Sequence, residues 1–181
     1  MVEDFREYII VLYKEVPTSV YEALLTLLCI GFVVIVCIWG FGRGWRNTCL
    51  LLLAEYVFLL FGSTVLFRYE SDAISGHNFQ LFWSYRAYLS GENPNFLVEN
   101  IMNVLVFMPV GILIGTQLSQ KGWLVALLVG AGISVSIESL QYFLRRGFSE
   151  VDDVVHNTIG CILGYILVIG LRVIVLRRAK R

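Results

Sequence analysis

The sequence predicts an all-α membrane protein, a polytopic bundle of about five transmembrane helices, from three observations. Of the 181 residues 57% are hydrophobic and only 15% charged, and the mean hydropathy is +0.74. That leaves too little polar surface to cover a water-soluble globule. Five apolar stretches, at 20–40, 49–67, 98–118, 123–144 and 154–176, approach the roughly 20 residues a helix needs to cross the hydrocarbon layer. The acidic residues collect almost entirely on alternate connections, and the other connections are purely basic.

Residues 1–19 carry Phe5, Tyr8, Ile9, Leu12 and Val16 at helical spacing with charges between them, which predicts a helix lying in the membrane interface. The membrane domain covers 20–176, each span being helical because lipid tolerates no unpaired backbone. An acidic start of the chain does not fit a cleavable signal peptide. In the second span Glu55 has Arg43 and Arg46 as candidate partners, or marks a proton path. The third contains Pro109 and Gly111, where a kink or local unwinding is expected. The connection at 68–97 includes an aromatic run over 77–88, too short to span and suited to the interface. Residues 177–181 form a basic tail.

Orientation follows from the positive charges. With the N-terminus outside and the C-terminus cytoplasmic, the inner pieces hold Arg43, Arg46, Lys121, Arg172, Arg177, Arg178, Lys180 and Arg181 and no acid, as the positive-inside rule requires. Net charge is zero, which gives no global field to recruit nucleic acid. The four cysteines lie in or beside apolar runs with no C-x-x-C pair and read as small hydrophobes. Neither a metal centre nor a cofactor is indicated.

The polar groups inside the spans gather at their outer ends. On the fourth span Glu138, Gln141 and Arg145 fall on one stripe, and on the fifth Asp153, Asn157, Gly160 and Gly164 fall on another. The glycines permit a close helix approach. Asn103 on the third span lies in the same layer as Glu138. Amide and glycine stripes serve equally well as interhelical packing. An ionisable group within a span is costly and marks a functional cavity or a buried partner, so Glu138 is the leading candidate, with Arg145 or Arg146 as its expected counter-ion.

The second half of the chain resembles the VanZ-like family of bacterial membrane proteins over about residues 77–165. The resemblance rests on four stretches in order: 79–85 (FQLFWSY), 100–111 (NIMNVLVFMPVG), 136–141 (SIESLQ) and 146–160 (RGFSEVDDVVHNTIG). His156 stands where an apolar residue is more usual in that family. The resemblance implies a multi-pass protein of the bacterial cytoplasmic membrane, in a family named for a glycopeptide-resistance cluster whose member raises resistance to teicoplanin. It implies no settled reaction.

Two function classes stay open, with a third behind them. The first is a cell-envelope protein whose outward-facing polar cleft engages a lipid-linked or amphiphilic anionic ligand, such as a lipid-linked cell-wall precursor or a lipoglycopeptide. Asn103, Gln141, Arg145, Arg146, Asp152, Asp153 and Asn157 would be its ligand-binding residues, Glu138 would sit at its floor, and the arginines would capture phosphate or carboxylate. The second is a membrane-embedded hydrolase or transferase with Glu138 as the catalytic acid or base and Asp152 and Asp153 holding a divalent cation. A small transporter, suggested by Pro109 and Gly111, comes third.

Overall fold

A computed structural model of the protein describes residues 45–68, 76–118 and 122–178. The expected interfacial segment at 1–19 and the first span at 20–40 lie outside them. Helix α1 runs Trp45–Phe61 and continues through a π-helical turn, Gly62–Leu66. A short strand β1, Gly76–Asn78, precedes helix α2, Trp83–Leu89. Three long helices follow, α3 over Asn95–Gln117, α4 over Trp123–Leu144 and α5 over Val151–Arg178. Strand β2, Phe148–Glu150, lies between the last two.

Four helical segments among the described residues are long and apolar enough to span a membrane: Arg46–Leu66, Asn95–Gln117, Trp123–Leu144 and Val151–Arg178. They coincide with the last four spans expected from sequence, each end shifting by only a few residues. The expected unwinding at Pro109 does not occur, since α3 is helical through it. The irregular turn falls in α1, where the Ser63 hydroxyl donates to the Leu59 carbonyl at 2.9 Å and the Thr64 hydroxyl to that of Leu60. Hydroxyls that bond to the preceding turn loosen a helix in this way.

Small residues decide how the helices pack. Helices α3 and α5 run side by side in the same direction with their backbones in contact. A Cβ on Gly111 would lie 1.8 Å from the Cys161 carbonyl oxygen, and Cβ atoms on Gly160 and Gly164 would each lie 2.1 Å from a carbonyl oxygen of α3, those of Val104 and Met108. Helix α4 runs antiparallel to both, Gly130 admitting the Cys161 side chain. The apolar core between them is built from Phe107, Val110, Ile114, Ala126, Ile137 and Tyr165, with Leu60 and Val65 of α1 closing one side. Cys49 and Cys161 are buried free thiols, in keeping with the apolar role read from sequence.

The two ends of the bundle differ. At one, Arg172 donates to the carbonyls of Gly115, Thr116 and Leu118 at 3.0–3.2 Å, satisfying the last turn of α3. The Tyr165 hydroxyl accepts from the Gly122 amide at 3.0 Å, at the start of α4. At the other end β1 and β2 form a parallel pair with His77 opposite Ser149, which ties the α1–α3 connection to the α4–α5 turn. Glu55, midway along α1, has a buried Oε2 with no hydrogen-bond partner among the described residues. Of its two suggested partners, Arg43 lies outside them and Arg46 is an exposed residue in the first turn of α1.

Gly160→Ala and Gly164→Ala are each expected to destabilise the bundle by about 1–3 kcal/mol through overpacking. Gly132→Ala and Gly170→Ala, where an added Cβ meets nothing within 4 Å, gain about 0.5–1 kcal/mol of helix propensity. Unfolding midpoints in detergent micelles check both directions, and equal effects at the two pairs of positions would contradict this packing.

Candidate functional site

The strand-paired end of the bundle holds nearly all the buried polar groups among the described residues. Its centre is Asp152, fully buried in the first turn of α5. Its Oδ1 accepts from the Phe82 amide at 2.5 Å, and its Oδ2 accepts from the Ser84 amide at 3.0 Å and the Ser84 hydroxyl at 2.6 Å. A carboxylate accepting two amides at the start of α2 caps that helix from outside the segment. Asn100 Nδ2 donates to the same Ser84 hydroxyl at 3.1 Å. The Tyr85 hydroxyl meets His156 Nε2 at 2.8 Å, so His156, unusual for its apolar position, is matched by a phenol from α2.

The stripe on α5 makes contacts across two helix faces. Asp153 Oδ1 accepts from Asn103 Nδ2 at 2.7 Å, and Asn157 Nδ2 donates to the Ser134 hydroxyl of α4 at 2.8 Å. Asn103, Asp153 and Asn157, expected at a ligand cleft, are thus brought together as ties between α3, α4 and α5. Asp152, expected at a water-facing rim, is instead the buried seat of the aromatic segment. Both its oxygens accept from protein donors, and among the described residues no group of three or more acids, histidines or cysteines is placed to hold a metal ion.

Glu138 is buried on α4. Its Oε2 accepts from the Glu150 amide at 2.8 Å, and the Ser149 side chain also hydrogen-bonds to it. The arginines expected beside it sit elsewhere. Arg146 donates to the Val65 and Leu66 carbonyls at 3.4 and 3.2 Å, pinning the α4–α5 turn to the end of α1. Arg145 caps α4 in a left-handed conformation, φ 52°. Among the described residues, Arg68 is a cation whose field reaches both Glu138 and Asp153, and no local pattern in the sequence marks it.

Two cavities open at this end and share Tyr142 and Phe143. The first, about 300 Å³, is walled by Phe79, Val135, Tyr142, Phe143, Val151 and Val154, with Glu138, Ser139, Ser149 and Glu150 at its floor. The second, about 360 Å³, is lined by Gly76, His77, Gln141, Arg145 and Gly147 besides the shared rings. Gln141 Nε2 donates to the Thr64 carbonyl at 3.2 Å, which fixes the amide's orientation and leaves its buried Oε1 without a donor. Of the sequence-selected residues, Glu138, Gln141 and Arg145 line cavities.

Glu150 joins the two halves of this end. Its Oε2 accepts from the Trp83 indole N–H at 3.0 Å. Burial, and then the charge of Asp153, push its carboxyl up to about 8, with Glu99 and Glu138 adding to the rise and the Trp83 bond opposing it. The folded protein therefore keeps a proton on Glu150 that the unfolded chain, at about 4.5, gives up. Stability conferred by that proton is complete below about pH 4.5 and declines as pH rises to about 8. The unfolding midpoint in micelles is expected to fall between pH 5 and pH 8, and Glu150→Gln, neutral throughout, should flatten that fall. Superimposable pH profiles for the two proteins would contradict the assignment.

The family model described as VanZ/LLP1 matches residues 47–175. Among curated proteins, Protein VanZ of Enterococcus faecium is 32% identical over 66 residues, a segment that covers 36% of this chain and 41% of that protein. No solved structure matches. A match over most of the chain, on a bundle with four candidate spans, settles its kinship: the protein is a multi-pass, helical member of the VanZ/LLP1 family.

Proposed function

We propose that this protein is a VanZ-like component of the bacterial cytoplasmic membrane that holds an amphiphilic ligand at the outer membrane surface. The observation that carries the reading is the pairing of cavities across Tyr142 and Phe143, one walled mainly by apolar side chains and the other lined by His77, Gln141 and Arg145. Val135 lies nine residues before the end of α4, about 13 Å down the helix, which supports reading the first cavity as one that reaches hydrocarbon depth. A ligand with an apolar portion along Val135, Phe143 and Val154 and a phosphate or carboxylate beside Arg145 matches both. A lipid-linked cell-wall precursor and a lipoglycopeptide of the teicoplanin type each have that character.

Charge distribution supports placing this end outside. Among the described residues Arg46, Arg172, Arg177 and Arg178 lie at the opposite end, where no acid accompanies them, the pattern of a cytoplasmic face. Family kinship supports a role in glycopeptide resistance. The hydrolase or transferase reading is second, favoured by Glu138 and Glu150 lying side by side with the latter's carboxyl raised to about 8, in the range of a working general acid.

Native mass spectrometry of the full chain, purified in mild detergent, is expected to show a co-purifying amphiphile. Its occupancy should drop about tenfold in Arg145→Gln, which removes a charged hydrogen bond, and fall also in Phe143→Ala. Detergent adducts alone, or unchanged occupancy in both variants, would contradict the proposal.

A further inference from the structure

Phe79, Tyr142 and Phe143 line the first cavity, Tyr142 packing against each of the other two rings in a tilted or edge-on contact. The Phe79 and Tyr142 centroids are 5.9 Å apart at 53°, and those of Tyr142 and Phe143 are 5.4 Å apart at 75°. Beneath them the floor carries two carboxyl groups, Glu138 and Glu150. Arg145 and Arg146 do not line this cavity, and the Arg68 field that reaches Glu138 is set against that of Asp153. No cationic side chain lines this cavity.

From this juxtaposition we infer that the first cavity is an ammonium-binding site, in which the rings of Phe79, Tyr142 and Phe143 and the Glu138 carboxyl receive a positively charged nitrogen. Ring faces attract a cation through their quadrupole at exposed sites as well as buried ones, and these rings are partly open, Phe79 58%, Tyr142 44% and Phe143 77% exposed. A volume of about 300 Å³ accommodates a substituted ammonium beside the rings and Glu138, with the start of the apolar portion along Val135 and Val154.

The inference deepens the amphiphile reading by assigning the ligand a cationic nitrogen beside its anionic group, and it rests on that reading for the attached tail. The nitrogen belongs either to the head group of a membrane amphiphile or to a small soluble amine.

The test is equilibrium binding to the full chain in dodecyl maltoside micelles, which are uncharged and free of ammonium. The probes are hexadecyltrimethylammonium, hexadecanol, hexadecyl phosphate and tetramethylammonium. Hexadecyltrimethylammonium is expected to bind at least about tenfold more tightly than hexadecanol. That advantage should vanish in Glu138→Gln and in Tyr142→Leu and survive in Tyr142→Phe, which keeps the ring at a half-exposed position. Equal binding of the three long-chain probes, or a preference for the phosphate, overturns the ammonium site and leaves the amphiphile reading standing. Glu138-dependent binding of tetramethylammonium, with no binding of hexadecanol or hexadecyl phosphate, upholds the ammonium site as one for a soluble amine and removes the amphiphile reading.

Discussion

The contact of backbone on backbone between α3 and α5 is the constraint on which the polar end depends. Gly111, Gly160 and Gly164 leave no room for a Cβ, so the two helices have one axial register and one close separation. That register brings Asn103 within 2.7 Å of Asp153. Asn100 and Asp152 reach the same Ser84 hydroxyl from α3 and α5. Association within lipid draws little on the hydrophobic effect, and close packing of small residues supplies the attraction in its place.

Upon that frame the segment from Gly76 to Leu89 is seated like a cap. The first amides of α2 have no partner within the helix, and Asp152 takes those of Phe82 and Ser84. The parallel pair of β1 and β2 continues the attachment, with Trp83 on Glu150 and Tyr85 on His156. The cap leaves Phe79, Leu81, Phe82 and Leu89 exposed, as suits rings and aliphatic groups at the interface of a bilayer. Where the cap meets the last turns of α4, the two cavities form.

Much of the bundle was legible because spans in lipid announce themselves by length and apolarity, whatever they pack against. Gly160 and Gly164 were legible as a close-approach stripe because that signal too is local and periodic. Glu138 drew notice for the cost of a carboxyl within a span, and it does reach a cavity. The cap was not legible: a three-residue strand paired across some 70 positions leaves no local pattern, and Ser84, Tyr85, Glu150 and Arg68 acquire their partners only once the chain folds back. Adjacent acids at a helix start suit a water-facing rim equally well, so the burial of Asp152 has no local signature. Its burial follows from donors contributed by a distant segment. Pro109 suggested an unwinding that α3 does not show. The turn that loosens lies instead in α1, where successive hydroxyls at Ser63 and Thr64 bond back to the preceding turn.

The central claim is that the aromatic segment docks on the α4–α5 turn in a single register and so creates the site. Disulfide crosslinking in membranes tests this most directly, in a chain whose four native cysteines are replaced. His77→Cys paired with Ser149→Cys, opposite one another across the two strands, is predicted to crosslink under mild oxidation, whereas His77→Cys paired with Val151→Cys stays reduced. Crosslinking of the second pair in place of the first would contradict the account.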